Sequence, residues 1–151
     1  MWKFAGDRVS ASVSLRECFE KRLLRETRRD LVKARRSVEM AQLKLERARL
    51  AFKMKLFDLA IISGYTAMFH AARGLLYRDG VQEKSHYCLV LYLRVKYAGK
   101  VPIRLVNSMD NFRVERHEIL YGLEFTPTGE DAEVLMKDAK DFIDVARELL
   151  K

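Results

Sequence analysis

The stretch from Asp58 to Gly80, DLAIISGYTAMFHAARGLLYRDG, constrains this chain most, because read as a helix it has no polar face until its end. A helix that is apolar all round is stable only when other helices surround it. Its polar interruptions, Asp58, Ser63, Gly64, His70 and Arg73, argue for burial in protein rather than in a bilayer, where each charge is costly. The stretch therefore predicts an all-α, up-and-down helical bundle with this helix innermost, ending where Gly80 can take the left-handed conformation.

The rest of the chain supplies the surrounding helices. Its 151 residues are the size of one domain, and 49% hydrophobic content is enough for one core. Two prolines and seven glycines, against 33% charged residues, favour long helices and few turns and leave little support for strands. Leu31, Ala34, Val38, Ala41, Leu45, Ala48 and Phe52 recur at alternating steps of three and four, which is a bundle seam. Because Ala34, Ala41 and Ala48 share one heptad position, a neighbouring helix can come close there. A short break at residues 53–56 then makes this helix and the buried one a hairpin. A third helix is expected from about Ser85 to Tyr97, a fourth from near Pro102 to Gly122, and a fifth after Thr128, a capping residue followed by Glu130, Asp131 and Glu133. The total is about five. Residues 1 to 13 lack periodicity and read as a flexible extension, with Ser12 or Ser14 able to cap a helix running from Leu15 onward.

The formal net charge of +8 is concentrated between Arg16 and Arg36, where nine Lys or Arg face Glu17, Glu20, Glu26 and Asp30. Such a stripe, with Arg25, Arg28 and Arg29 at its middle, either neutralises the phosphates of a polyanion or is a solvated helix face. Cys18 and Cys88 lie far apart without a CxxC, and His70, His86 and His117 are scattered, so no metal site is expected. The two cysteines read as free thiols in a reducing cytoplasm. The N-terminus lacks an apolar core of signal-peptide length, and the protein is read as soluble and cytoplasmic, with no membrane partner.

Candidate chemistry begins with an anomaly in the fourth helix. Its apolar stripe steps through Leu105, Met109 and Phe112 to Arg116 before Ile119 resumes it. A guanidinium in a dry core costs several kcal/mol unless paired, so Arg116 has a carboxylate partner, snorkels, or lines a cleft open to an anionic ligand. Arg113 and His117 share a face at i, i+4, which can hold a phosphate between guanidinium and imidazole. Tyr121 is placed to pack in the core, hydrogen-bond across the domain or stack on a base, with Glu118 beside it. In the second helix Tyr65, His70 and Arg73 either contribute a polar cleft against Arg116 or are satisfied inside the bundle. Lys84 and His86 flank the start of the third helix, whose amides can attract phosphate. The chain has no Walker loop, GxGxxG, GxSxG or HExxH, and no cofactor is expected.

Taken together, YTAMFHAARGLLYRDG, then KSHYCLVLYL, then FRVERHEILYGLEFTPTGEDAEVLMKDAKDFIDVARELL resemble the HEPN domain (higher eukaryotes and prokaryotes nucleotide-binding) over roughly Asp30 to Lys151. The resemblance implies an HEPN-like helical domain over residues 29–151, preceded by a partly helical, basic extension at residues 1–28. It also implies a homodimer. Members of the family include ribonuclease toxins, partners of a small nucleotidyltransferase, and proteins without known activity. In catalytic members an arginine is followed after four to six residues by a histidine, and cleavage needs no metal. Here Arg116-His117-Glu118-Ile119-Leu120-Tyr121 sets tyrosine at the histidine position. The leading expectation is therefore a nucleotide- or RNA-binding module paired with a small nucleotidyltransferase, as in a toxin-antitoxin pair. The alternatives are a metal-independent endoribonuclease using Arg113 or Arg116 with His117, and a structural helical adaptor.

Overall fold

The computed structural model describes residues 13–151. Ser12, one of the two expected caps, lies outside the described residues, and Ser14 caps α1 by accepting from the Glu17 amide. The elements run α1 (Leu15–Glu20), β1 (Leu24–Glu26), α2 (Leu31–Lys53), α3 (Phe57–Asp79), β2 (Val81–Glu83), α4 (His86–Lys96), α5 (Ile103–Tyr121) and α6 (Gly129–Leu149). Among the described residues five long helices make the bundle, and α3 packs against α2, α4, α5 and α6 as its apolar circumference requires.

The α2 seam is buried at Ala34, Val38, Ala41, Leu45 and Ala48, while Leu31 and Phe52 at its ends are only partly covered. Its small residues let α3 approach closely. A Cβ on Gly74 would stand 2.9 Å from Val38 Cγ2 and 3.0 Å from the Ala34 carbonyl oxygen, so the α2–α3 contact is backbone-close at this point. The hairpin is started by Asp30, whose side chain accepts from the Lys33 amide, and turned at residues 54–56. Gly80 ends α3 at φ 78°, and a Cβ there would also meet the Thr27 carbonyl at 2.7 Å, so only glycine fits. Ser85 caps α4 by accepting from Cys88 N, and Thr128 forms a reciprocal capping box with Asp131 at the start of α6.

Three features depart from the sequence reading. Helicity from Leu15 stops at Glu20, because Arg22 takes a left-handed conformation (φ 59°) and the chain turns into β1. β1 then pairs antiparallel with β2 in the register Leu24↔Glu83, Arg25↔Gln82, Glu26↔Val81. Three-residue strands carry no readable alternation, so no residue pattern announces them. The basic segment from Arg16 to Arg36 is accordingly no single helix face, since it passes through α1, a turn, a strand and the first turns of α2. The cysteines are not free thiols either: Cys18 and Cys88 form a disulfide across 70 residues, both fully buried. The β1–β2 pairing brings α1 beside α4 and so brings the two sulfurs together.

Candidate functional site

Tyr65, Phe69, Arg73 and Tyr77 stand four residues apart on α3 and form one row along it. The first turn of α4 and the middle of α5 lie over one end of that row, and α2 lies over the other. Cations and rings alternate along the row: Tyr65 and Tyr77 are buried in the core, Phe69, Arg73, His86 and Arg116 are half-buried, and Lys33 is exposed. Lys33 Nζ sits 4.4 Å from the Tyr77 ring centre, and the Arg73 guanidinium lies 5.3 Å from Tyr77 and 5.4 Å from Phe69. The Phe69 ring stacks on His86 at 4.2 Å, and His86 stacks on Tyr65 at 5.7 Å with its Nδ1 2.7 Å from the Tyr65 hydroxyl. The Arg116 guanidinium closes the series, 5.4 Å over Tyr65. Each such contact contributes about 0.5–2 kcal/mol, depending on desolvation.

The anomaly noted in α5 is resolved here. Arg116 is half-buried and is held by an aromatic face, with no carboxylate partner among the described residues. Its Nε is buried without a hydrogen-bond partner. A ring face holds the charge without neutralising it. Arg113, one turn earlier, is engaged differently: its Nε pairs with Asp110 at 3.0 Å and its guanidinium lies 5.6 Å from the Tyr87 ring. His117 packs against Tyr121, ring centres 5.4 Å apart, and Tyr121 and Glu118 are exposed near the end of α5.

At the other end of the surface Arg73 pairs with Glu83 of β2 at 2.9 Å. Burial pushes the Glu83 carboxyl up from its ordinary pKa, against the opposing pull of Arg73. His70 lies on the neighbouring strip of α3, turned toward α2, where its carbonyl accepts from Ser37 Oγ at 2.7 Å. Burial first, then the charges of Arg73 and Lys44, lower its pKa. Lys84 is exposed directly before Ser85 and His86. Arg25 reaches Gln82 Oε1 at 3.2 Å across the strand pair, and Arg28 and Arg29 are exposed in the loop that crosses Gly80.

The structure thus brings Tyr65, Arg73, His86 and Arg116 into one surface, and leaves His117, Glu118 and Tyr121 at the end of α5. Sequence reasoning missed Lys33, Phe69, Tyr77, Glu83 and Tyr87. The i+4 spacing of residues 65, 69, 73 and 77 was a visible signal, but which helices lie over them was not.

Residues 21–149 match the HEPN domain family. The chain belongs to that family. Among curated proteins it is similar to one from Methanocaldococcus jannaschii named "Putative toxin", at 27% identity over 122 residues, covering 76% of this chain and 86% of the relative. It is also similar to a UPF0332 protein of Gloeobacter violaceus, at 29% identity over 118 residues, covering 75% and 92%. The HEPN match spans every element from β1 to α6, and so includes every residue of the cation–aromatic surface.

Proposed function

We propose that this HEPN protein is a toxin-type binding module for RNA or a nucleotide, acting in the cytoplasm with a small nucleotidyltransferase as partner. The observation that carries the reading is the alternation of Lys33, Tyr77, Arg73, Phe69, His86, Tyr65 and Arg116, which ends on a half-buried guanidinium with no acid partner among the described residues. Positive groups interleaved with rings suit a single-stranded polyanion, because phosphate neutralisation supplies affinity while rings and cations hold each other in place. Arg25, Arg28 and Arg29 extend the positive potential and add nonspecific affinity. A homodimer in which the α5 helices approach is supported by the apolar exposure of Leu120, Tyr121, Leu123 and Phe125, and would join two Arg116 side chains in one cleft. The name of the Methanocaldococcus relative supports a toxin-like role.

The test is fluorescence anisotropy with a short labelled uridine RNA over a salt series, beside pull-down with the nucleotidyltransferase encoded by a neighbouring gene. Binding that weakens steeply with salt, with Arg25, Arg28 and Arg29→Ala together flattening the slope, supports the module. No binding to RNA, nucleotide or partner leaves a structural adaptor.

One observation favours a second reading, a metal-independent endoribonuclease. Arg116 and His86 both contact Tyr65, so one tyrosine links a histidine of α4 to the arginine whose own helix carries tyrosine at the motif position. RNA cleavage in EDTA that is lost in His86→Ala would support this arrangement. Loss in His117→Ala with His86→Ala active would favour Arg113 or Arg116 with His117 instead.

A further inference from the structure

The disulfide between Cys18 and Cys88 ends in the first turn of α4, two residues beyond His86 and one beyond Tyr87. We propose that this bond is a redox-operated fastener of the cation–aromatic surface, which holds the α4 start in its binding geometry when oxidised and lets it shift when reduced. The inference rests on the reading of that surface as the RNA-binding face.

The bond closes a small circuit. Leu23 N donates to the Cys18 carbonyl at 2.8 Å, and Lys84 N donates to the Leu23 carbonyl at 2.8 Å. Ser85 follows, and its hydroxyl accepts from Cys88 N at 3.2 Å. Two residues of that circuit, Lys84 and Ser85, lead directly into His86, whose ring is pinned by Phe69 and Tyr65. Reduction exchanges a covalent bond of about 2 Å for a contact of roughly 3.5–4 Å between sulfurs. Both cysteines are fully buried, so a close-packed interior offers no slack for that difference. Either α1 or the first turn of α4 must yield. α1 has six residues, with Cys18 buried and Leu15 and Phe19 partly buried against the core, and on reduction its covalent hold on the capped first turn of α4 is gone, so that turn is free to shift.

The chemistry is thiol–disulfide exchange with a dithiol reductant. A thiolate of the reductant attacks one protein sulfur to form a mixed disulfide, and its second thiol then displaces that sulfur. The reductant leaves as a disulfide, and Cys18 and Cys88 are left as thiols. An oxidised dithiol reverses the step. Because both sulfurs are enclosed, attack waits for α1 to lift.

The full chain is compared in its oxidised form, after dithiothreitol, and as the Cys18→Ser, Cys88→Ser double variant, with thiols counted in denaturant. RNA affinity is measured by anisotropy and backbone protection by hydrogen exchange with mass spectrometry. If the reduced form holds the binding geometry one-tenth of the time, affinity falls about tenfold. The double variant should bind like reduced protein and ignore dithiothreitol. Hydrogen exchange at residues 15–26 and 85–90 should quicken on reduction in the native sequence alone. Equal affinity in the two redox states of a protein that binds RNA overturns the fastener. If neither form binds RNA, the binding reading fails, and unchanged exchange on reduction then overturns the fastener separately.

Discussion

Two clusters of tyrosine and arginine stand along α3, one at its C-terminal end and one around Tyr65 in its first half, and they are completed differently. At the C-terminal end Tyr92 and Tyr97 donate to the same Asp79 oxygen at 2.9 and 2.7 Å, Arg78 Nη2 reaches the Tyr97 hydroxyl at 2.6 Å, and Arg78 Nη1 donates to the Leu149 carbonyl. Burial, together with the hydrogen bonds to Asp79, raises both tyrosines far above their ordinary pKa. This cluster is closed: one carboxylate, one guanidinium and two phenols answer one another and tie α3, α4 and α6. Around Tyr65, Arg116 lies over the ring with no carboxylate partner among the described residues, and its Nε is buried without a hydrogen bond. The same residue types form a neutralised brace where an acid completes them and keep their charge where an aromatic face takes its place, because a ring quadrupole holds a cation without neutralising it.

The comparison is tested first by removing the acid. Asp79→Ala strands two phenols and Arg78, and should cost about 3 kcal/mol in urea denaturation while the protein still folded binds RNA as before. A loss near zero would mean that the C-terminal cluster is no brace. Gly74 lies between the two clusters, and Gly74→Ala should cost roughly 1–3 kcal/mol by forcing α2 and α3 apart at Val38 and the Ala34 carbonyl. Thermal melting checks that value, and an unchanged melting temperature would show that the seam adjusts. Arg116→Ala should do the reverse of Asp79→Ala, weakening RNA binding about tenfold, or ~1.4 kcal/mol, with stability within ~0.5 kcal/mol of the parent. If it destabilises the fold as Asp79→Ala does, the two clusters are not different in kind.

The smallest effect is in pH. His70 has its pKa lowered below its ordinary 6.5, so below that pH the unfolded chain binds more protons than the folded one. The stability it contributes is present above 6.5 and is lost as pH falls toward the folded value. Glu83 is raised above its ordinary 4.5, so its contribution has the other sign, present below 4.5 and lost as pH rises through the folded value. Denaturation between pH 7 and pH 5 should therefore show a weaker acid loss in His70→Gln and a stronger one in Glu83→Gln. Parallel curves for both variants and the parent would remove these two groups from the pH response.

Much of this was legible in the residues. The apolar circumference of α3, the alanine-lined seam of α2, the caps at Ser85 and Thr128, and Arg116 as a misfit in its stripe all follow from local spacing, because helix periodicity and capping are properties of short segments. Those features determined an all-α bundle, its innermost helix and the HEPN membership, since the family pattern is carried by the same helices. Tertiary structure alone decided the rest. Whether Arg116 would meet a carboxylate or a ring depended on which helix crosses α5, and Tyr65 answered it from 51 residues away. The strand pair and the Cys18–Cys88 bond were invisible for the same reason: β1 and β2 are too short to show a period, and a disulfide is a contact between sequence-distant residues, which no local pattern encodes.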